Sequence, residues 1–202
     1  MNEIKSFQKI ESLYIETGIG NVFLMPGSGE EVVVRAEHVS EDFRCEQQET
    51  LLKVLDGPKE RYHSFAELKS KFSKRSKIVI EIPVKTRLKK LETEIGIGNL
   101  EVKKVRVEEL NVDCGIGKIF FGGLVEKSAD IDCGIGNIKM VLYNSKEDFN
   151  YVMDIGIGSI SFDGNGKGGL GVDKTISHQA EHNIKADCGI GKIHISFRKR
   201  VR

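Results

Sequence analysis

No stretch of the 202-residue chain approaches about 18 consecutive apolar residues, the length that a membrane-spanning helix needs. The opening, MNEIKSFQKIESLYIE, has no apolar run behind a basic start, so neither a secretory signal nor a membrane span is expected. An excess of charge of one sign is missing too. Lys and Arg number 31 against 30 Asp and Glu, a net charge of +1 that predicts neither a polyanion partner nor an acidic disordered chain. Four cysteines, three of them at one position of a repeat, do not make the framework of a small secreted domain, and reduced thiols are the simpler reading. No Cys-x2-4-Cys or paired-His spacing offers a zinc site. No G-x-x-x-x-G-K-[ST] loop is present for phosphate, and no Ser, His, Asp set stands out. The expectation is therefore no catalytic residues, no cofactor and no metal.

What the chain does have is a repeat. IETGIGNVFL from Ile15, TEIGIGNLEV from Thr93, VDCGIGKIFF from Val112, IDCGIGNIKM from Ile131, MDIGIGSISF from Met153 and ADCGIGKIHI from Ala186 are near-copies. Numbered from the first glycine of each copy, apolar residues occupy positions minus three and minus one, the period of a strand with one buried face (Val112 and Cys114, Ile131 and Cys133, Met153 and Ile155). After the second glycine the apolar positions become plus four and plus six, as in Ile119 and Phe121 or Ile193 and Ile195. Such a slip in phase marks a corner between two strands. It is expected just after the second glycine, with the isoleucine between the glycines facing the core. The glycine pairs Gly18 and Gly20, Gly96 and Gly98, Gly115 and Gly117, Gly134 and Gly136, Gly156 and Gly158, and Gly189 and Gly191 are then structural corner residues. The first glycine of each pair either needs a backbone angle closed to other residues or forms a bare strip on which another surface docks.

From Gly96 the copies fall 19, 19, 22 and 33 residues apart, a period at which each repeat is one unit that must stack on its neighbours to bury its apolar face. The fold expected is all-β, a parallel β-solenoid with like positions in continuous ladders; a sandwich of antiparallel hairpins is the competitor. Residues 1–24 form the first coil and 91–197 the repeated coils. Residues 25–90 form an inserted cap or side sheet, and 198–202 a basic tail, all within one domain. The insert reads as a strand through Val32, Val33 and Val34, another in CEQQETLLKVLD, and a turn at Asp56, Gly57 and Pro58. A short helix then carries Phe65, Leu68 and Phe72 on one face from a Ser64/Glu67 capping box, and a last strand covers KIVIEIPV.

The order of strand, Gly-x-Gly, strand, long polar excursion, IVIEIP and repeated Gly-x-Gly coils resembles the DUF4097 family of β-strand repeat adhesins, near the GIN-type adhesin head domain. The likeness runs from about Ile10 to Phe197. Where family members often carry Gly-Ser-Gly-Asp at the corner, this chain has Gly-Ile-Gly followed by Asn, Lys or Ser. The resemblance implies a right-handed solenoid and an adhesin-like or envelope-associated role.

Position minus two is acidic in every copy: Glu16, Glu94, Asp113, Asp132, Asp154 and Asp187. Alternation turns this column outward, where solvated acids partly balanced by Lys118 and Lys192 are a simpler reading than calcium, because the G-G-x-G-x-D-x-U-x repeat of calcium β-rolls is missing. Cys114, Cys133 and Cys188 share position minus one with Ile95, Ile155 and Thr17, and the equivalence with Ile suits small core filling. SHQAEH at 177–182 matches H-x-x-E-H, but it lies between β coils as a polar loop. GNGKGG at 164–169 lacks the helix that a dinucleotide fingerprint needs and is expected to be a glycine-rich loop. The basic runs KFSKRSK, KTRLKK and RKRVR are short and poor in aromatics, which disfavours nucleic acid and leaves peripheral contact with a membrane surface.

The function expected is a non-catalytic module presenting a flat face to a protein, glycan or envelope component, with self-association as a further partner. The alternatives are a carbohydrate-active β-helix enzyme using the surface carboxylates, or an intracellular stress-response scaffold. The cytoplasm is the expected address, and the cell surface is the one that the resemblance implies.

Overall fold

A computed structural model of the protein describes residues 1–57 and 75–198. The expected helix around Phe65, Leu68 and Phe72, the turn at Pro58, most of KFSKRSK and nearly all of the basic tail lie outside the described residues. Ten strands follow one another: β1 (Asn2–Phe7), β2 (Ser12–Gly27), β3 (Val32–Glu37), β4 (Arg44–Gln48), β5 (Leu51–Asp56), β6 (Ser76–Pro83), β7 (Arg87–Leu142), β8 (Phe149–Phe162), β9 (Asn165–Ile176) and β10 (His182–Phe197). The only helical piece among the described residues is a 3-10 turn at Lys146–Asp148, so the protein is all-β. Among the described residues no helix is long and apolar enough to cross a membrane.

One sheet path runs β1-β3-β6-β2-β7-β10-β8-β9. Its centre is parallel: β2 on β7, β7 on β10 and β10 on β8, each in a register that matches the repeats, such as Asn21 with Asn99 and Cys188 with Cys133. This is the ladder of like positions that a solenoid-like stack requires, because only parallel in-register pairing sets the same repeat position over itself. β7 alone carries three repeats, bending at each Gly-Ile-Gly without leaving the extended state.

The repeats do not stack in chain order. β10, which carries the Gly189 copy, sits between the Gly134 copy of β7 and the Gly156 copy of β8. The spatial sequence is therefore Gly18, Gly96, Gly115, Gly134, Gly189, Gly156. A period count sees only separation along the chain, and the longest gap after Gly96, between Gly156 and Gly189, is where the chain turns back.

That return is β9, antiparallel to β8 from Tyr151 with Ile176 to Phe162 with Asn165. The GNGKGG segment is thus an edge strand rather than a loop. Its turn is a two-residue Asp163-Gly164 hairpin with φ of 49° and 84°, the positive pair that Asp-Gly turns favour.

At the other end, β2 is covered by two strands in line. Its first half pairs with β5, from Ser12 with Leu51 to Thr17 with Asp56, and its second half with β6, from Gly20 with Ser76 to Gly27 with Pro83. β5 and β6 together make one more rung, opened where the others have Gly-Ile-Gly. β3 and β1 continue from β6 as an antiparallel edge, and β4 pairs with β5.

The core is one continuous cluster drawn from the predicted positions. Ile15, Val112, Ile131 and Met153 at minus three, Ile119, Ile138, Ile160 and Ile193 at plus four, and Phe121, Met140, Phe162 and Ile195 at plus six are all buried. At the β8 end it closes on an aromatic group in which the Tyr151 ring meets Phe162 edge-on at 4.8 Å and Phe197 at 5.9 Å.

Candidate interaction face

Each corner is built by backbone approaching backbone. A Cβ on Gly115 would stand 2.6 Å from the carbonyl oxygen of Gly96, and one on Gly189 would stand 2.5 Å from that of Gly134. The second glycines are tighter still, for a Cβ on Gly98, Gly117, Gly136, Gly158 or Gly191 would overlap the second-glycine carbonyl of the neighbouring rung. Gly98, Gly136, Gly158 and Gly191 also have φ of 146° to 156°, open in practice to glycine alone. The first glycines show no such angle and no bare docking strip is needed to explain them, because rung-on-rung contact already excludes a side chain. Gly18 is the exception, with nothing within 4 Å of its added Cβ.

The inward cysteines fit beside the second glycines. The Cys114, Cys133 and Cys188 thiols lie 3.9, 3.9 and 3.7 Å from the carbonyl oxygens of Gly98, Gly117 and Gly136, one rung away. All four cysteines are buried and free. Burial pushes the Cys45 thiol up to about 12, and Cys133 is raised by the neighbouring Cys114 and by burial. Among the described residues no three His, Cys, Asp or Glu side chains converge to hold a metal ion.

The isoleucine between the glycines does not face the core. Ile97, Ile116, Ile135, Ile157 and Ile190 are 40–49% exposed. The slip in phase falls two residues earlier than expected, between the first glycine and the isoleucine, so two successive residues point outward and the side-chain-free second glycine points in. Stacking then turns one repeat position into an exposed isoleucine ridge. Leu170 of β9, opposite Ile157 and 78% exposed, extends it.

On the N-terminal side of the ridge runs the acidic column. Glu16, Glu94, Asp113, Asp132 and Asp154 are exposed and Asp187 partly so. Two residues earlier, Glu92 and Asp130 join the same face, where they border a shallow depression of about 250 Å³ with Glu94, Asp113 and Asp132. The Tyr14 hydroxyl lies 3.2 Å from Glu16 Oε2 and 3.1 Å from Glu94 Oε1, bridging two rungs. Burial, and after it those carboxylates, raise the Tyr14 phenol well above its usual value. The Asp132 carboxyl is raised by partial burial and by Asp187, Asp130 and Asp113, and Asp187 by partial burial, Asp154 and Asp130; Lys185 offsets both in part.

On the far side lies the plus-three column. Asn21 Oδ1 accepts from the Asn99 backbone N–H (3.2 Å) and Nδ2 (2.9 Å), and Asn99 Oδ1 accepts from the Lys118 N–H at 3.2 Å, so asparagine ties the first three rungs together. Away from this face several charges are paired. Glu126 binds Arg87 and Arg106, and Glu108 meets Lys127 at 2.5 Å and Arg87 at 3.3 Å. Although burial would raise the Glu126 carboxyl, the two arginines hold it below its usual range.

The two His of H-x-x-E-H are not on a helix. His178 Nδ1 lies 2.7 Å from the Phe149 carbonyl in the loop before β10, and His182 begins β10 against the Phe149 ring.

The family model described as Toastrack DUF4097 matches residues 10–200. The chain belongs to this family. In the Toastrack chain the matched span takes in every Gly-Ile-Gly copy. A solved structure from Clostridium sporogenes, named "putative cell adhesion protein", superposes at a TM-score of 0.67 with 18% identity over 98% of this chain and 99% of that one, which shows a shared fold. A Bacteroides fragilis structure named "putative adhesin" aligns over 96% of both chains at 13% identity and a TM-score of 0.38. No curated protein matches the chain.

Proposed function

We propose that this Toastrack chain is a non-catalytic, adhesin-like or envelope-associated module, a single right-handed solenoid domain whose repeat face is its binding surface. The exposed ladder of Ile97, Ile116, Ile135, Ile157 and Ile190 carries the reading. A monomer gains nothing from an apolar ridge in water, and a contiguous one marks a contact surface. The corner glycines are structural, and the acids frame the ridge. Carboxylates do gather at the depression beside Asp113, but Glu94, Asp113 and Asp132 all stand exposed on one open face, whereas acid–base catalysis is favoured where one carboxyl of a pair is enclosed. The right hand is the one that right-twisted strands favour in parallel crossovers. A partner with a matching apolar surface, in the envelope or on a neighbouring cell, fits the name that the Clostridium sporogenes structure carries.

The test is retention of the purified protein on envelope fractions, wall sacculi and membrane vesicles separately, beside the triple variant Ile116→Ser, Ile135→Ser and Ile190→Ser. Binding by the parent and its loss in a folded variant is the expected result. Equal retention of both, or of neither, sinks the reading. Protease shaving of intact cells separates the addresses: release argues against the cytoplasm, and full protection argues against the surface.

A further inference from the structure

The ridge has the makings of a two-fold interface. In every rung an acid stands two residues before the first glycine, an isoleucine one residue after it, and an asparagine, lysine or serine three residues after it. Stacked, these become three parallel columns with the apolar one in the middle. If a second copy is laid ridge to ridge with the two-fold axis along the stacking direction, each rung meets its own counterpart. The acidic column of one copy then faces the plus-three column of the other. Asp113 meets Lys118 and Asp187 meets Lys192, while Glu94 and Asp132 meet Asn99 and Asn137. The opposite choice, an axis across the ridge, sets acid against acid.

Among the described residues neither Lys118 nor Lys192 lies within ion-pairing distance of a carboxylate, and neither Asp113 nor Asp187 has a cation within that distance, although Lys185 acts on Asp187 from further off. We infer that the occupant of the ridge is a second copy of this chain, docked in parallel with Ile116 on Ile116 and Ile190 on Ile190. The inference rests on the proposal that this face is the binding surface and names its partner. Six rungs at a spacing of ~4.8 Å give a ridge on the order of 25 Å long. That is narrow for an obligate dimer and suits the weak, concentration-dependent class.

Two experiments test it on the full chain. Ile116→Cys and Ile190→Cys are made singly and oxidised at high protein concentration; the native cysteines are buried and serve as the background. The parallel dimer predicts that each variant links to itself. Linking only in a mixture of the two overturns the parallel axis, and no linking at all overturns the dimer. Sedimentation equilibrium up to ~1 mM then compares the parent with K118E/K192E and with the swap D113K/K118E/D187K/K192E, each checked by melting. Association should fall at least tenfold in the first and return in the second. A parent that stays monomeric, or a swap that fails to restore association while folded, refutes the inference. If the parent is monomeric but the Ile→Ser variant still loses envelope retention, the binding face stands and only the choice of partner fails.

Discussion

The carbonyl oxygen of Gly115 lies 2.6 Å from where a Cβ on Gly134 would stand. Rungs therefore touch through main chain at the corner, and any side chain there must push two strands apart. Gly134→Ala should lose at least ~1 kcal/mol through overpacking against a backbone that cannot yield. Gly18→Ala, with no atom of the described residues within 4 Å of the added methyl, should lose only a few tenths. Chemical denaturation of the two variants beside the parent checks the contrast, and equal midpoints would refute the stacking explanation.

Ile116 and Ile119 are three residues apart and belong to different worlds, one half exposed and one buried. Ile116→Asp should cost under ~1 kcal/mol, as surface changes do. Ile119→Asp places an unpaired charge in the core and should cost several kcal/mol, enough to lose the cooperative transition. Circular dichroism melts distinguish them. Comparable melting of both would mean that the corner geometry is wrong.

Asp132 and Asp187 carry the pH dependence of the face. Their folded carboxyls lie above the ordinary value, so the folded state holds their protons more tightly than the unfolded chain does. The stability tied to the protonated forms is fully present below the ordinary carboxylate pKa of ~3.9 and is lost as pH rises through the raised folded values. At pH 7 both are ionised and repel. Asp132→Asn should therefore stabilise the protein at neutral pH, by less than ~1 kcal/mol because the column is solvent-screened, and the gain should vanish near pH 3. A gain that is constant with pH would show that repulsion is not its source.

Thr93 is buried at position minus three, where other rungs carry Ile, Val, Met or Ala, and among the described residues its hydroxyl has no hydrogen-bond partner. Thr93→Val keeps the shape and removes the unpaired oxygen. A stabilisation of about 1 kcal/mol is expected, read from the urea midpoint at unchanged m-value; a loss of stability would point to an unseen partner for the hydroxyl.

Period and alternation made the core legible, because the inward side chains at minus three, minus one, plus four and plus six are apolar in nearly every copy, the buried Thr17 and Thr93 excepted. They placed Cys114 beside Ile155 in one ladder and Asp113 outside it. They misplaced Ile116, because the same run of apolar letters fits a slip before or after the isoleucine, and only the overlap of a Gly117 Cβ with the Gly98 carbonyl decides between them. Asp163-Gly164 was a hairpin signal in plain sight, masked by the glycine-rich segment that follows. The exchange of the Gly156 and Gly189 rungs left no local trace, since both copies present the same edges to a neighbour.

That exchange bears on how the chain can assemble and diverge. Most stacked-repeat proteins can be lengthened or trimmed by whole units, and their order of synthesis is their order of growth. Here the Gly156 rung has no seat until β10 has been made, because β10 alone bonds both to it and to β7. The last strand is a keystone wedged between two older ones. The far end must wait as a detached β8–β9 hairpin, and duplicating or deleting one repeat near it would orphan two edges instead of moving one.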